Sequence, residues 1–255
     1  MPTSSWQELL ANSGPASGLL PGQVQVWQMC VSSAHARLPE LKRLLATDER
    51  ERAARFRFDR DRDCYVATRG LLRLLVARYT GDRAEQIQLR YGAQGKPALA
   101  DSGIQGLHFN VSHSGDAVLF AFSSDLEVGV DVELMREDAD FAGLARTSFS
   151  PAELNAVIAL APEHRSSLFY EYWTCKEACI KADGRGLSVP LEQFSITRSR
   201  KGARWREVET AKSDVFHSAL RVRILETIPG YAAAVAAPGD SWEVDKVDVR
   251  VPDHA

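Results

Sequence analysis

Valine occupies every second position from Val128 to Val132, and the carboxylates of Asp131 and Glu133 alternate with these valines. Because successive side chains of a β-strand point to opposite faces, the pattern predicts a strand that buries its valines and presents both carboxylates on the other side. Neighbouring carboxylates suit Mg²⁺, which is commonly held by one or two acidic side chains together with substrate phosphates and water. Such a pair is also common on solvated strands, so it needs support from elsewhere in the chain.

The segment around residues 173–181 has the periodicity of a helix. Its apolar side chains recur at intervals of three or four residues, at Leu168, Tyr172, Cys175 and Cys179. Glu177 and Lys181 are four residues apart, so a helix places the carboxylate and the ammonium group on one face. The same spacing is typical of an exposed ion pair that stabilises a helix by only about 0.3–0.5 kcal/mol, and spacing alone leaves both interpretations open.

Four blocks in chain order resemble the Sfp-type 4′-phosphopantetheinyl transferase superfamily. The blocks are Gly95-Lys96-Pro97, Phe109-Asn110-Val111-Ser112-His113-Ser114, Gly129-Val130-Asp131-Val132-Glu133, and residues 173–181 followed by Gly184-Arg185-Gly186-Leu187. The resemblance covers residues 95–190 and continues more weakly over residues 49–73. It implies an α+β fold of two similar α/β subdomains in a pseudo-twofold arrangement, with the active site in the cleft between them.

The resemblance also implies an enzyme that transfers the 4′-phosphopantetheine moiety of coenzyme A to a serine hydroxyl of an apo acyl or peptidyl carrier protein. The other product is adenosine 3′,5′-bisphosphate, and the reaction is expected to depend on Mg²⁺. Phosphoryl-type transfer requires a cation on the diphosphate, positive charge on the other phosphates, and a base or positioned water for the incoming hydroxyl.

By the same resemblance, Asp131, Glu133 and Glu177 are the metal ligands. Glu177 is also expected to accept the serine proton, either directly or through a metal-bound water. Lys181 lies one helical turn further on and is expected to neutralise the diphosphate and the leaving phosphate. Glu177 and Lys181 are therefore the predicted catalytic residues.

The predicted coenzyme A contacts lie mainly in the first half of the chain. Of the arginines between Arg50 and Arg73, Arg52 matches the family's phosphate contact best and Arg69 is the alternative, while most of the others are expected to form a solvated, salt-bridged helix face. The Asn-x-Ser-His block resembles the part of the site that holds the 3′-phosphate. The full set of predicted contacts is Arg52, Gly95, Lys96, Pro97, Asn110, Ser112, His113 and Lys181.

Other functions fit parts of the same pattern. A Mg²⁺-dependent phosphohydrolase acting on a nucleotide diphosphate could use the three carboxylates, but it would not require Lys96 and His113. A carrier-binding module without activity would have no physical reason to keep four clustered charges. A hydrolase triad of Ser112, His113 and Asp131 is disfavoured because the serine lacks a G-x-S-x-G turn.

Composition narrows the class of protein. The chain has 255 residues, 45% of them hydrophobic, which is enough to bury a core as one large or two small domains. Its formal net charge of −3 gives no footprint for nucleic acid, so no nucleic-acid partner is expected. The chain has neither a long apolar run nor a signal-peptide pattern, so we expect no membrane association and a cytosolic location. We also expect a monomer. The four cysteines lack disulfide or zinc-site spacing and are expected to be reduced core thiols: Cys30, Cys64, Cys175 and Cys179.

The order of predicted elements indicates two halves of similar plan, an N-terminal subdomain at 1–124 with the nucleotide contacts and a C-terminal subdomain at 125–255 with the metal and catalytic residues. Long helices are predicted at 61–79 and 165–182, each followed by a glycine-rich segment. A capping box at Ser150 predicts the start of a helix over 151–160. The remaining predictions are a helix from about Thr47, strands at 24–31, 193–197, 220–225 and 231–237, a loop at Gly92–Pro97, and a hairpin of 117–122 with 127–133.

Residues 135–150 allow two interpretations. This segment follows the predicted acidic strand, so it could face a carrier protein beside the metal site. Its apolar residues Phe141, Leu144 and Phe149 could instead pack on the core. The sequence favours neither alternative.

Overall fold

The computed structural model describes residues 6–13, 18–92, 95–100, 106–198, 204–210, 212, 214–249 and 251. Within these residues the α-helices are α1 (Trp6–Ser13), α2 (Leu38–Leu44), α3 (Thr47–Ala54), α4 (Asp59–Thr80), α5 (Phe141–Ser148), α6 (Pro151–Ile158) and α7 (Pro162–Asp183). The strands are β1 (Gln23–Cys30), β2 (Leu89–Tyr91), β3 (Pro97–Leu99), β4 (His108–Ser114), β5 (Ala117–Ser123), β6 (Gly129–Leu134), β7 (Phe194–Arg198), β8 (Trp205–Thr210), β9 (Leu220–Ile224), β10 (Tyr231–Pro238) and β11 (Glu243–Asp248). Positions 93 and 94 of the predicted glycine-rich loop lie outside the described residues.

The strands form two large sheets and one small hairpin. In the described part of the chain the first sheet has the order β11-β1-β5-β4, the second has the order β6-β10-β9-β8-β7, and β2 pairs with β3. Paired strands are antiparallel except β1 and β11, which are parallel. The strand β11 therefore brings the C-terminal part of the chain back to the first sheet. The division of the chain at residue 124 stays a prediction. The strand β11 departs from this division, because it lies after residue 124 and pairs within the first sheet.

Four layers stack in the order α4, first sheet, second sheet and α7, with an apolar core in each gap. Leu71 of α4 belongs to the core against the first sheet. Leu119 and Val130 belong to the core between the two sheets, and Cys179 of α7 and Val222 belong to the core behind the second sheet. A long helix on the outer face of a mainly antiparallel sheet thus occurs twice, and the predicted α+β fold of two similar subdomains is confirmed.

Both long helices extend slightly beyond their predicted bounds of 61–79 and 165–182. Each has 22 residues and ends at a glycine with a left-handed backbone, Gly81 at φ 77° and Gly184 at φ 87°. The helix α7 begins three residues earlier than predicted, with Pro162 in its first turn. Proline is favoured there because the first N–H groups of a helix have no partner within the helix.

The capping box and most predicted strands are confirmed. The Ser150 amide donates to Glu153 Oε2 at 2.9 Å, and the Glu153 amide donates to Ser150 Oγ at 3.4 Å. The predicted strands at 24–31, 193–197, 220–225 and 231–237 correspond to β1, β7, β9 and β10, with ends that differ by one residue. The helix α6, which Ser150 caps, begins at Pro151 as predicted and ends two residues earlier than expected, at Ile158.

The predicted hairpin of residues 117–122 with residues 127–133 is wrong. The strand β5 lies between β1 and β4 in the first sheet, whereas β6 pairs with β10 in the second. All seven residues of β5 are buried. A strand that is apolar on both faces belongs in the middle of a covered sheet, where its partners are set by long-range packing. Residues 124–128 accordingly carry the chain from one sheet to the other.

The edge strands β4 and β6 are joined by side chains, in an arrangement that we call the β4–β6 ladder. Successive N–H groups on the free edge of β6 donate to side-chain oxygens at alternate positions of β4. The bonds run from Val130 N to Asn110 Oδ1 (3.0 Å), from Val132 N to Ser112 Oγ (3.4 Å) and from Leu134 N to Ser114 Oγ (3.1 Å). Because an unpaired N–H group is costly when buried, these three side chains allow the edge of β6 to lie inside the molecule.

The segment 135–150 packs on the core through the aromatic residues that flank α5. Phe141 and Phe149 are buried, with ring centroids 5.4 Å and 5.0 Å from the ring of Phe169. Leu144 is 46% exposed. The packing interpretation is confirmed for the two phenylalanines, and a partner-facing role of the segment stays a prediction.

The four cysteines are free thiols. Cys175 and Cys179 are buried as expected, whereas Cys30 and Cys64 are only partly buried. Among the described residues, no helix combines the length and the apolar character that crossing a membrane would require.

The strand β6 lies directly on the backbone of α7 at Gly129. A Cβ atom at this position would lie 2.1 Å from Ala178 O and 2.3 Å from Ala182 N. Both atoms belong to the main chain of the helix and cannot move aside as a flexible side chain can. Only glycine therefore allows the acidic strand and the Lys181 helix to approach this closely.

We predict that Gly129→Ala destabilises the protein by about 1–3 kcal/mol, because the added methyl group forces β6 and α7 apart. The measurement is the free energy of unfolding in denaturant. Gly18→Ala is the matched control, since a Cβ at Gly18 meets no atom within 4 Å. Equal stability of the two variants would contradict the proposed contact.

Candidate active site

Asp131 and Lys181 form an ion pair where β6 meets α7. Asp131 is only 3% exposed, and its Oδ1 accepts from Lys181 Nζ at 2.5 Å and from Ser112 Oγ at 2.9 Å. Lys181 Nζ also donates to Ser112 Oγ at 3.1 Å. Burial raises the pKa of Asp131, and the neighbouring ammonium of Lys181 opposes that rise. The predicted ammonium and one predicted metal ligand are thus in direct contact.

Glu133 projects on the same side of β6 as Asp131, as the alternation predicted. The valines of β6 instead face the core between the two sheets. Glu133 Oε2 accepts from Ser114 Oγ at 2.7 Å, so a serine of the β4–β6 ladder holds each of the two carboxylates. The NVSHS block of β4 therefore orients the acidic residues of β6 as well as joining the sheets.

Glu177 faces these two carboxylates from α7. Its side chain is half-buried, and burial is the main cause that raises the pKa of Glu177. The negative charges of Asp131 and Glu133 raise this pKa further, and Lys181 opposes them. The three predicted metal ligands therefore lie close enough for their charges to interact, although they come from two elements.

The fit of these residues to a metal ion depends on the donor atoms they offer. Among the described residues, no three His, Cys, Asp or Glu side chains form a group arranged to hold a metal ion, so a shared three-carboxylate site stays a prediction. Asp131 Oδ2 is buried and has no hydrogen-bond partner. An orphaned carboxylate oxygen of this kind, next to two further carboxylates, suits a hard divalent cation such as Mg²⁺. The chemistry of the donors fits the ion.

A cavity of about 300 Å³ lies beside this cluster. Glu177 and Lys181 line it from the second half of the chain, while residues 95–97, Asn110 and Val111 line it from the first half. Gly184 and Gly186 complete the wall beyond the end of α7. The predicted catalytic residues therefore face a cleft to which both halves contribute.

A second cavity, of about 450 Å³, adjoins the first. The two share Gly95, Pro97 and Val111 as lining residues. The second cavity is basic, and its lining includes Arg52, Arg60, Arg69 and His113. Three guanidinium groups and an imidazole are suited to binding a phosphate group.

Arg52, Arg69 and His113 reach the basic cavity from different elements. The Arg52 and Arg69 guanidinium carbons lie 5.5 Å and 5.6 Å from the centroid of the Tyr65 ring, so both arginines contact the same aromatic side chain. His113 lies on β4 and is exposed. Partial desolvation is the main cause that lowers the pKa of its imidazole, and the positive charges of Lys181 and Arg69 lower this pKa further. The predicted arginine and its alternative thus both lie near His113, and the structure places them in one cavity.

Lys96 lies between the two halves, and its ammonium group contacts protein atoms. Its Nζ donates to Lys181 O at 3.0 Å and, each at 3.1 Å, to Val128 O and Glu127 Oε2. Gly95, with φ 77°, and Pro97 flank it in the wall of both cavities. The role of Lys96 as a phosphate contact stays a prediction.

Sequence reasoning missed a buried ion pair next to Glu177. Lys176 is fully buried, and its Nζ lies 2.8 Å from Glu153 Oε2 while donating to Leu191 O at 2.7 Å and to Phe194 O at 2.5 Å. The signal was present in the sequence, because Lys176 is four residues after Tyr172 and three before Cys179 on the apolar face. The pair fixes the turn of α7 that carries Glu177.

The arginine-rich segment also contains a buried side chain that charge patterning did not indicate. Arg73 is 1% exposed, and its Nε donates to Glu49 Oε2 at 2.6 Å. Its Nη1 donates to the carbonyl oxygens of Ala84 and Ile87. This arginine therefore ties α3 and the residues after α4 together and is not part of a solvated face.

Two family models match successive parts of the chain. Residues 127–236 match the 4′-phosphopantetheinyl transferase superfamily, and residues 32–125 match the family described as 4′-phosphopantetheinyl transferase, N-terminal. Among solved structures, a holo-(acyl-carrier-protein) synthase from Bacillus anthracis in complex with CoA (3′,5′-ADP) covers 44% of this chain and 95% of its own, at 18% identity and a TM-score of 0.36. That likeness is too low to define the fold.

Curated relatives match over most of their length. The 4′-phosphopantetheinyl transferase HetI of Nostoc sp. is 34% identical over 232 residues, which is 90% of this chain and 93% of HetI. The 4′-phosphopantetheinyl transferase Sfp of Bacillus subtilis is 31% identical over 204 residues, which is 79% of this chain and 85% of Sfp. As the four sequence blocks predicted, the chain belongs to the Sfp-type 4′-phosphopantetheinyl transferase superfamily.

Proposed function

We propose that the two adjoining cavities form one site for coenzyme A, from which the enzyme transfers 4′-phosphopantetheine to a serine hydroxyl of an apo acyl or peptidyl carrier protein. The observation that carries this proposal is the arrangement of charge along the cleft. The cavity with Arg52 and His113 is basic, and the adjoining cavity contains Glu177 and Lys181. Coenzyme A has two separate groups of negative charge, the 3′-phosphate and the diphosphate. The basic cavity matches the 3′-phosphate, and the cavity with Lys181 matches the diphosphate.

In this proposal the basic cavity binds the nucleotide end of coenzyme A. Arg52 and His113 contact the 3′-phosphate, with Arg69 as the alternative or additional arginine. Partial burial and the charges of Lys181 and Arg69 lower the pKa of His113, so in this proposal the arginines supply the permanent positive charge and the imidazole ring supplies a hydrogen-bond donor. Gly95 and Pro97 form the wall between the nucleotide end and the first cavity, which contains Glu177 and Lys181.

Lys181 acts on the diphosphate in the first cavity, which it lines together with Glu177. Its side chain is 28% exposed there, while its ammonium group is held by Ser112 and Asp131. As the bond between the transferred phosphorus and the bridging diphosphate oxygen breaks, negative charge develops on the departing adenosine 3′,5′-bisphosphate. A preorganised ammonium group beside that oxygen stabilises this charge without having to reorganise.

Asp131, Glu133 and Glu177 are the residues that would hold Mg²⁺, with the orphaned Oδ2 of Asp131 as the first donor. When bound, Mg²⁺ supplies Lewis-acid stabilisation of the diphosphate charge. The serines of the β4–β6 ladder fix Asp131 and Glu133 in place.

Glu177 is the proposed acceptor of the serine proton. Its carboxylate lines the first cavity from α7, where it can reach the hydroxyl of an incoming serine. The serine oxygen forms its new bond to phosphorus as its proton leaves toward Glu177, directly or through a water molecule. Glu177 therefore contributes to transfer through both its charge and its basicity.

The phosphohydrolase alternative has no support in the comparisons, because the matching families and relatives are phosphopantetheinyl transferases. A hydrolase of a simple diphosphate would also have no use for the basic cavity around Arg52 and His113. The Mg²⁺ requirement, the cytosolic location and the monomeric state remain predictions of this proposal.

Glu177→Gln is predicted to lower transfer at least about 100-fold, because the amide can neither accept the serine proton nor bind a cation as a carboxylate does. The assay incubates the enzyme with coenzyme A, Mg²⁺ and a panel of apo carrier proteins, and measures the gain of one phosphopantetheine by mass. Glu163→Gln is the matched control, since Glu163 is an exposed residue in the first turn of the same helix.

Two results would contradict this part of the proposal. Undiminished transfer by Glu177→Gln would mean that Glu177 takes no part in the reaction. Release of free phosphopantetheine by the wild-type enzyme, with no gain of mass on any carrier of the panel, would indicate hydrolysis and not transfer.

For Arg52→Met we expect the KM for coenzyme A to rise about tenfold while the KM for 3′-dephospho-coenzyme A changes less than about twofold. The reason is that the lost guanidinium group binds the 3′-phosphate, which the second substrate lacks. Arg57→Met is the control, because the Arg57 guanidinium lies over exposed Phe58, 5.3 Å from the ring centroid, and does not line the cavity.

The same comparison on Arg69→Met decides between the two arginines. The variant that distinguishes the two substrates identifies the phosphate contact. If Arg52→Met and Arg69→Met both impair the two substrates equally, the basic cavity does not bind the 3′-phosphate.

A further inference from the structure

The ammonium group of Lys96 joins three segments of the chain. Its acceptors are Glu127 Oε2, Val128 O and Lys181 O, at distances of 3.0–3.1 Å. Lys96 precedes β3 in the first half, Val128 precedes β6, and Lys181 lies in the last turn of α7. A protonated lysine has three N–H donors, and these three acceptors match that number.

The acceptor on α7 is a carbonyl oxygen that the helix itself leaves without a partner. The last four carbonyl groups of an α-helix have no intrahelical donor, and the Lys181 carbonyl is among them. A cation at this end of the helix also interacts favourably with the helix dipole. Lys96 thus caps the helix that carries both Glu177 and Lys181, although it comes from the other half of the chain.

Glu127 holds Lys96 in this position. One carboxylate oxygen accepts from Lys96 Nζ at 3.1 Å, and the other lies 3.0 Å from His108 Nδ1 on β4. The contact with His108, followed by the charge of Lys96, lowers the pKa of Glu127 to about 2, so its carboxylate is ionised under ordinary conditions. Glu127 lines a small neighbouring cavity with Lys96 and His108, and it lines neither of the two cavities assigned to coenzyme A.

These contacts lie next to the place where β6 and α7 are closest. Gly129 follows Val128 directly, and its Cα position faces the main chain of Ala178 and Ala182. Two residues further along β6, Asp131 meets Lys181 at 2.5 Å. A change in the distance between Val128 O and Lys181 O would therefore change the geometry of the ion pair in the active site.

We infer that Lys96 and Glu127 form a clamp that positions the C-terminal turn of α7 against the start of β6, and so sets the Asp131–Lys181 contact. This inference rests on the proposed function for its effect on transfer. It assigns Lys96 a positioning role in addition to any contact with the nucleotide, because a phosphate could take the ammonium only by breaking one of the three bonds. Glu127 is a positioning residue that no sequence block marks.

The test compares kcat and KM for Glu127→Ala, Lys96→Met and Lys96→Arg. The clamp predicts that Glu127→Ala lowers kcat about tenfold and changes the KM for coenzyme A less than about twofold, since Glu127 lies outside the coenzyme A cavities. Lys96→Met lowers kcat at least as much, and Lys96→Arg retains most of it because a guanidinium group keeps the charge and several donors. Glu85→Ala, which removes an exposed carboxylate, is the control for Glu127→Ala.

A second readout does not depend on activity. Amide hydrogen exchange over residues 181–185 should be faster in Glu127→Ala and in Lys96→Met than in the wild type, because the last turn of α7 loses its cap. Glu127→Gln is the milder variant if Glu127→Ala does not fold, and it should shift exchange in the same direction.

The clamp is overturned if Glu127→Ala, or Glu127→Gln in its place, behaves like Glu85→Ala in both kcat and exchange. It is also overturned if Lys96→Met raises only the KM for coenzyme A, which would make Lys96 a simple substrate contact. A wild-type chain that transfers nothing would instead defeat the proposed function, and the exchange measurement would then decide the clamp by itself.

Discussion

The β4–β6 ladder is the interaction on which the rest of this structure depends. It lets two sheets meet at their edges, because Asn110, Ser112 and Ser114 satisfy the N–H groups that β6 turns away from β10. Two of the same three side chains donate to Asp131 and Glu133. The junction between the halves and the support of the acidic residues are therefore one set of hydrogen bonds, which explains why the site lies at the boundary and not within either half.

Electrostatic cost explains the composition of the site. A buried carboxylate is unfavourable unless a cation and hydrogen bonds compensate it, and Asp131 has Lys181 on one oxygen while its other oxygen is unpartnered. The neighbouring charges of Asp131 and Glu133 raise the pKa of Glu177 further than burial alone does. An arrangement that crowds carboxylates in this way has little benefit for stability, but it is suited to binding a cation and to accepting a proton.

Local patterns in the sequence were sufficient for local structure. The alternation at Val128–Val132 placed the carboxylates on one face of β6, and the long helices were found within three residues of their bounds. The pairing of the strands, in contrast, was not predicted by local patterns. The apolar run of β5 fits any covered strand, and the turn-like residues after it suggested a hairpin, whereas packing between the sheets determines that β5 pairs with β1 and β4. The roles of Ser114 and Glu127 were missed for the same reason, because each depends on a partner 19 or more residues away.

The most direct test of the central claim is the kinetics of Ser112→Ala with coenzyme A and with 3′-dephospho-coenzyme A. The sequence resemblance assigned Ser112 to the 3′-phosphate, whereas in the structure its hydroxyl bonds Asp131, Lys181 and the edge of β6. If Ser112 positions the acidic strand, kcat falls about tenfold or more with both substrates and the ratio of their KM values does not change. A rise in the KM for coenzyme A alone, with kcat unchanged, would contradict the account and would indicate that Ser112 binds the 3′-phosphate.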